Sequence, residues 1–361
     1  MLSSRKFDIF LLLPSLFLIG IGILVIASVS PSNVLDHLFS IFIALTFFFL
    51  FSFLDLEIIF SFSPFIYLFG VIFLILPFLL GTITRGAVRW IPIGSLTIQP
   101  SEIVKPFLAI VSAWYWVKNK FSIKTFLIYC FLALPVLALI FFQPDLGSTL
   151  AVLCIFAGTI FISPIKPKQI FLLALVMLLS LPLLWFSLKD YQRLRVVHFL
   201  NPYSDPLGEG YNVIQSKITV GSGNLFGRGL GRGTQSHLAF LPERHTDFVF
   251  ASLAEETGLA GCIILLTLYF LLLSRILKLA KMALKNKPDD KSFYILSLGI
   301  FFFLFFQIVV NIGMNMGLLP ITGITLPLVS FGGSSLLTSM VSLGILESGY
   351  RSIKQEETIR L

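Results

Sequence analysis

Apolar residues run along this chain in long blocks separated by short polar punctuation. Mostly apolar windows cover 8–29, 35–54, 62–80, 101–117, 125–142, 146–163, 169–187, 248–274, 292–315 and 328–348. About 20 such residues are what a helix needs to cross the hydrocarbon layer of a bilayer. There every backbone N–H and C=O must bond inside its own helix or inside a closed barrel. The repeated alternation of a membrane barrel is missing. The pattern therefore predicts an all-α polytopic membrane protein with about ten transmembrane helices. A large extracytoplasmic loop should separate the seventh from the eighth. The windows at 101–117 and 146–163 are short and open on polar residues.

Composition supports this class and excludes a soluble core. Hydrophobic residues make up 57% of the chain and charged residues 12%, against roughly a quarter charged in soluble domains. Cys130, Cys154 and Cys262 sit inside apolar runs without metal-ligand spacing, as small buried hydrophobes do. Arg5 and Lys6 precede the first apolar run, but no clear small-residue cleavage site follows. That run reads as a span rather than a removable signal.

Charge then orients the bundle. With the N-terminus cytoplasmic, the inner face receives Arg5, Lys6, Lys118, Lys120, Lys124, Lys166, Lys168, Arg275, Lys278, Lys281, Lys285, Lys287, Lys291, Arg351, Lys354 and Arg360, which is 16 of the 26 basic residues. Short inner loops rich in Lys and Arg are the usual sign of topology. The net charge of +8 thus reports membrane orientation and gives no reason to expect nucleic acid. Residues 1–361 read as one membrane domain with both termini inside. Two long segments, 82–100 and the large loop 188–247, remain outside. Trp90, Ile91, Leu96, Val213, Ile214, Ile218, Leu238 and Phe240 would anchor them at the membrane surface. Short amphipathic helices or re-entrant turns are expected there.

Three ionisable clusters fall at the outer ends of spans, a common depth that points to one polar site. The run Leu241-Pro242-Glu243-Arg244-His245-Thr246-Asp247-Phe248 closes the large loop. Asp247 there is either a helix N-terminal carboxylate bonding exposed N–H groups or a general base tuned by Arg244 and His245. In Gln99-Pro100-Ser101-Glu102-Ile103-Val104-Lys105, the Glu102–Lys105 spacing of three allows an internal ion pair. A charged residue inside a span is also a functional candidate, so Lys105 could face an anion. Asp145, in Gln143-Pro144-Asp145-Leu146-Gly147-Ser148, reads as a helix cap more readily than as a reacting group.

Other polar residues lie within spans. Gln307, Asn311 and Asn315 recur every four residues and make one polar stripe. Glu255 and Glu256, about two turns below Asp247 and within the bilayer, should place at least one carboxylate in the bundle interior. The glycines of Pro327-Leu328-Val329-Ser330-Phe331-Gly332-Gly333-Ser334-Ser335 permit close helix approach, or backbone donors aimed into a cavity.

At these clusters the chain resembles the SEDS family (shape, elongation, division and sporulation proteins), multi-span peptidoglycan glycosyltransferases typified by RodA and FtsW. The resemblance runs in order through Arg89-Trp90-Ile91 to Glu102, Gln143 to Gly147, Gly229-Leu230-Gly231, and Leu241 to Phe248. It continues through Ala254-Glu255-Glu256-Thr257-Gly258, Asn311-Ile312-Gly313-Met314, Gly317-Leu318-Leu319-Pro320 and Pro327 to Ser335. Gly233-Thr234-Gln235-Ser236 followed by Pro242-Glu243-Arg244-His245 is similar to the RodA type, since FtsW-type proteins more often carry Ala at the place of Arg244.

The resemblance implies ten spans in the bacterial cytoplasmic membrane and polymerisation of lipid II into β-1,4 glycan strands on its outer face, for elongation and shape. It places the family's essential aspartate on Asp247 and its fourth-span Glu and Lys on Glu102 and Lys105. It implies a class B penicillin-binding protein as transpeptidase partner. The expected chemistry is an inverting displacement in which Asp247 takes the acceptor hydroxyl proton. Lys105, Arg89, Arg195 and Arg244, or a divalent cation such as Mg or Mn, would stabilise the leaving undecaprenyl pyrophosphate. Asp145, His245, Glu255, Asn311 and Ser334 complete the candidate substrate-binding set. An FtsW-like division polymerase and a lipid II flippase remain as alternatives; polymer made in detergent, where no two leaflets exist, separates enzyme from flippase.

Overall fold

Asp8 opens the first helix by accepting the Phe10 N–H at 3.1 Å in the computed structural model, which describes residues 7–84, 87–93, 96–161, 186, 190–206, 208–238, 240–286 and 290–360. This helix, α1, runs Ile9–Val29, and a 3-10 turn at Pro31–Asn33 leads into α2, Val34–Phe53. A short α3 (Leu56–Ser61) and then α4 (Ser63–Leu80) follow. Pro100 starts α5, Pro100–Lys118, where its missing N–H costs nothing. Ser122 and Thr125 form a reciprocal capping box for α6, Ile123–Phe142. Next is α7, Leu146–Phe161. Beyond it the large loop carries α8 (Asp190–Leu200), α9 (Glu209–Ser222) and a single turn α10 (Thr234–His237). Three long helices close the chain: α11 (Val249–Asn286), α12 (Ser292–Asn315) and α13 (Gly333–Arg360).

Six of these helices, α1, α2, α4, α6, α11 and α12, are long and apolar enough to cross a membrane. Three others pack into the same bundle. α5 contacts α4, α7, α12 and α13; α7 contacts α6 and α12; α13 lies along α2. Their polar residues are turned inward: Glu102 and Lys105 on α5 and Ser339, Ser342 and Glu347 on α13 are all buried. Phe10, Phe17, Phe42, Leu79, Phe131 and Phe270 instead cover the outside of the bundle with exposed apolar surface, the arrangement expected where lipid is the solvent. The expected span at 169–187 lies outside the described residues, as do Arg5, Lys6, Arg85, Lys166, Lys168, Lys189 and Lys287.

Contacts at the two ends of α1 fix which helix ends share a face. At its start, the Asp8 N–H donates to Glu347 Oε1 at 3.0 Å and Arg275 Nε donates to Asp8 Oδ2 at 2.6 Å. The guanidinium of Arg351 stands 5.4 Å from the Phe7 ring centre. At its other end, Val29 O accepts from Arg244 and Ser28 Oγ bonds Glu256. The N-terminal start, the late part of α11 and the late part of α13 therefore lie on one face, and the loop preceding α11 lies on the other.

Three expectations from the sequence change. Residues 82–98 form no amphipathic helix but a three-stranded antiparallel sheet, β1 (Thr82–Thr84), β2 (Ala87–Ile93) and β3 (Leu96–Ile98), in the order β1-β2-β3. Thr82 pairs Trp90 and Ile91 pairs Ile98. The β-branched residues of this stretch suit a pleated ribbon. The last span starts at Gly333 rather than 328, because Leu326 to Ser330 are turned. Ser330 Oγ accepts the Leu326 N–H at 2.8 Å, and Leu328 takes φ +68°. A Cβ at Gly22 would strike the Val329 carbonyl, so α1 approaches this turn as only glycine allows.

The third change concerns α11, which is broken at Gly258 (φ 67°, ψ −163°). The Leu259 and Ala260 N–H groups bond Asn224 O and Leu225 O of the loop instead of their own helix. Residues 249–257 are thus a separate two-turn segment, and the continuous crossing begins at 259. From there to Asn286 it extends roughly 42 Å at 1.5 Å per residue, longer than a hydrocarbon layer of about 30 Å.

Candidate functional site

The segment from Arg244 to Asp247 is anchored by four consecutive backbone carbonyls. Arg244 O accepts from Ser252 Oγ at 3.0 Å, and His245 O from the Phe331 N–H at 2.9 Å. Thr246 O accepts from Ser330 Oγ at 2.6 Å. Asp247 O accepts from both Asn311 Nδ2 and Asn315 Nδ2, each at 3.0 Å. Asn315 also takes the Ala251 N–H at 3.0 Å, tying the following helical turn to α12. Glu243 holds φ +51°, a left-handed conformation unfavourable for a non-glycine residue. Such strain persists only where the surroundings over-determine the backbone. Leu241, Phe248 and Ala251 pack beneath as a small apolar cluster with Val220 and Ile321. The Asp247 side chain itself is half-buried, with Oδ2 facing Gly323, whose φ is +72°.

His245 stands over Phe331 with ring centres 5.5 Å apart. Burial lowers its pKa from the ordinary imidazole value; Glu243 opposes the shift and Arg244 adds to it. Arg244 donates through Nε to Val29 O at 3.0 Å, so one edge of its guanidinium caps α1.

The second cluster is held through side chains. Gln99 Nε2 and Ser101 Oγ donate to Asp145 Oδ2 at 2.8 and 3.1 Å, and the Ser148 N–H donates to Oδ1 at 3.1 Å. Asp145 is thus a cap for α7, as its place in the sequence favoured. Lys105 is fully buried and pairs with Glu102. Glu102 also accepts from Ser148 Oγ at 3.5 Å and Gln307 Nε2 at 3.4 Å. Burying these charges is tolerable because each is matched by a counter-charge or donors. Lys105 is therefore enclosed by protein in this structure, with Glu102 as its counter-charge. Arg89 of β2 donates to the carbonyls of Gln143 and Pro144 and fastens the sheet to the start of α7. Ser334 Oγ accepts the Gln99 N–H at 3.0 Å and joins α13 to the same corner.

The stripe predicted on α12 connects the two clusters. Gln307 reaches Glu102, while Asn311 and Asn315 reach Asp247 and its neighbours; all three are buried. Asn311 Nδ2 further donates to Ile324 O at 2.7 Å, positioning the strand of chain that leads to Gly323.

Glu255 and Glu256 are both fully enclosed by protein, as expected of at least one of them. Because α11 breaks at Gly258, the loop as well as α1 supplies their partners. Glu255 accepts from the Gln235 N–H at 2.8 Å, the Ser236 N–H at 2.9 Å and Ser236 Oγ at 2.7 Å. Glu256 accepts from the Gly231 N–H at 3.1 Å, meets His237 Nε2 at 3.1 Å and bonds Ser28 Oγ. They act as a latch for residues 228–237. Arg195 lies on α8, with its side chain outside what the structure describes. Among the described residues, no group of three or more His, Cys, Asp or Glu side chains is arranged to hold a metal ion.

Sequence reasoning did not single out Ser28, Gln99 or His37 as site residues. Ser28 and His37 sit in apolar runs without a local motif, and only their distant partners reveal them. Gln99 lies in the run that opens α5, and its bond to Asp145 is a contact across 46 residues.

Set beside known proteins, residues 9–355 match the family model FtsW/RodA/SpoVE, described as cell cycle protein. The chain is 42% identical over 289 residues to the peptidoglycan glycosyltransferase MrdB of Escherichia coli (strain K12), covering 79% of this chain and 77% of that protein. Its structure is similar to a chain from a study of polymerisation and crosslinking by a peptidoglycan synthase complex. That likeness has a TM-score of 0.83 and 33% identity, over 97% of this chain and 99% of the other. The rod shape determining protein RodA of Thermus thermophilus aligns at a TM-score of 0.72 and 29% identity, over 96% and 97% of the two chains.

Proposed function

This chain belongs to the FtsW/RodA/SpoVE family of cell cycle proteins, and we propose that Asp247 is the general base of its polymerisation reaction. The protein is a RodA-like peptidoglycan glycosyltransferase and a multi-pass membrane protein. The observation that carries the role of Asp247 is the anchoring of its segment: four successive carbonyls are pinned, which fixes where the half-buried carboxylate stands. Fixed placement of a reacting group is what removes the entropic part of a barrier.

In the reaction, the 4-hydroxyl of the acceptor sugar attacks the anomeric carbon of a lipid II-type donor. The new C–O bond forms as the bond from that carbon to the pyrophosphate breaks, and the bonding pair leaves with undecaprenyl pyrophosphate. Asp247 takes the hydroxyl proton, and a single displacement turns an α-linked donor into a β-1,4 product. The bilayer keeps both lipid-linked substrates at one depth, so proximity needs no deep sugar pocket. Arg244 and Arg89, half-buried, are cations at this rim, whereas Lys105 and Glu102 position it from within.

The face bearing Asp247 is extracytoplasmic and both termini are cytoplasmic, in keeping with the basic inner loops. A class B penicillin-binding transpeptidase is the partner that crosslinks the product, a pairing supported by the likeness to a chain of a synthase complex that polymerises and crosslinks. Purified protein in detergent, given lipid II alone, should make polymer. No polymer in detergent, together with lipid II translocation by the same protein in vesicles, would overturn the reading in favour of a flippase.

A further inference from the structure

Three buried polar side chains near the start of α13 have no partner for their polar atoms. His37 is 1% exposed, yet neither Nδ1 nor Nε2 has a hydrogen-bond partner. The hydroxyls of Ser335 and Thr325 are likewise buried and unpartnered. Folded proteins rarely leave such groups unsatisfied. Other such atoms lie elsewhere, on Ser112, Trp116, Gln143, Asn212, Glu256 and Glu347, whereas these three residues lie about one turn, Phe331-Gly332-Gly333. The His37 ring packs at a tilt against Phe331 with ring centres 5.9 Å apart. Ser40, one turn further along α2, lies 3.1 Å from where a Cβ at Gly333 would stand. At Gly332 a Cβ would stand 3.6 Å from Thr325 Cγ2 and 3.9 Å from Ser335 Cβ. The turn itself is half-buried, so it forms the reachable edge of the group.

This turn opens a helix of 28 residues. The first N–H groups of a helix lack intrahelical acceptors and carry partial positive charge. Two glycines leave that backbone uncovered. Hydroxyls, an imidazole and helix N–H groups together offer hydrogen-bond donors, which suits a ligand made of anionic oxygens. The turn is also bonded directly to the catalytic segment: Ser330 Oγ donates to Thr246 O and the Phe331 N–H to His245 O.

We propose that the start of α13, with Ser335, Thr325 and His37, seats the pyrophosphate of the polyprenyl-linked donor beside Asp247. The inference rests on the glycosyltransferase reading for the identity of the ligand. It gives the leaving group a site that does not depend on the enclosed Lys105. The substrate class is a lipid-linked pyrophosphate; free inorganic pyrophosphate shares its chemistry and serves as the comparison.

The test uses the full-length protein in detergent and measures binding of undecaprenyl pyrophosphate, inorganic pyrophosphate and uncharged undecaprenol. His37→Phe keeps the ring contact with Phe331, while Ser335→Ala and Thr325→Val remove only hydroxyls. Each deletes an unsatisfied group, so the unliganded melting temperature should hold or rise. Binding of undecaprenyl pyrophosphate should weaken about tenfold per variant, the size of one hydrogen bond to a charged group, with undecaprenol unaffected. Inorganic pyrophosphate should weaken in parallel. Affinity within twofold of the parent in all three variants, or an equal loss for undecaprenol, overturns the seat. Repeating the titration in Asp247→Asn separates the two claims. That variant loses a like charge beside the seat, so it should bind undecaprenyl pyrophosphate at least as tightly as the parent whether or not it polymerises; a failure of the base leaves the seat standing, and the reverse.

Discussion

The Asp247 segment and the Glu102–Lys105–Asp145 cluster carry similar residues at neighbouring ends of the bundle, but they are held in opposite ways. In the cluster the carboxylates and the ammonium are themselves the anchors: Asp145 accepts three hydrogen bonds, and Glu102 and Lys105 close on each other. At Asp247 the main chain is the anchor, through the carbonyls of residues 244–247. Burial follows the same division. Lys105 is 0% exposed, Asp145 4% and Glu102 5%, whereas Asp247 is half-buried. Charge enclosed within the bundle stabilises a fold; a half-buried carboxylate on a pinned backbone stands at an edge that substrate can reach. The difference separates framework from reacting group more sharply than residue type does.

The largest stability effect tests the framework half. Lys105→Met leaves Glu102 charged and unpaired in the interior and should cost about 3–5 kcal/mol. Glu102→Gln combined with Lys105→Met should recover most of that in thermal unfolding. If the double variant is stable yet makes no polymer, the pair is more than framework. Asn311→Ala comes next. It removes the donor to Asp247 O and Ile324 O and should cost about 2 kcal/mol, with kcat falling more than KM changes. Unaltered turnover would show that pinning the main chain is irrelevant to the reaction.

Glu255→Gln tests the loop latch. An amide oxygen accepts more weakly than a carboxylate, and a loss of about 1 kcal/mol is expected. Hydrogen exchange should rise at residues 228–237; unchanged exchange there would remove the latch. The smallest effect is the pH response of His245. Its folded-state pKa lies below the ordinary 6.5, so the unfolded chain binds the proton more readily. Its contribution is complete above 6.5 and is lost as pH falls through 6.5 toward the lower folded value. Melting of the parent should decline through that window more than melting of His245→Gln, and parallel curves would contradict the assignment.

Much of this organisation was legible along the chain. The apolar windows located the helices because lipid enforces one solution for the backbone. The four-residue spacing of Gln307, Asn311 and Asn315 gave the inward stripe, since helical geometry alone puts them on one face. The sheet at 82–98 is not evident from the apolar windows, because its strands are three to seven residues long, far shorter than a membrane-spanning strand, although Thr82-Ile83-Thr84 and Ala87 to Ile93 are rich in β-branched residues. The burial of Glu255 and Glu256 was legible, but their loop partners were not, because those follow from the break at Gly258 and from contacts across some 20 residues. The pinning of Asp247 and the unpartnered ring of His37 depend on contacts between segments far apart in sequence, and no local pattern encodes those.

The most direct measurement is polymer formed from lipid II by purified Asp247→Asn, normalised to folded protein. Four bonded main-chain carbonyls hold this segment, and the substitution leaves them in place. The variant should therefore melt within about 1 kcal/mol of the parent and polymerise about 10²–10⁴-fold more slowly, the usual contribution of a general base. Polymer formation near the parental rate by the folded variant would contradict the account.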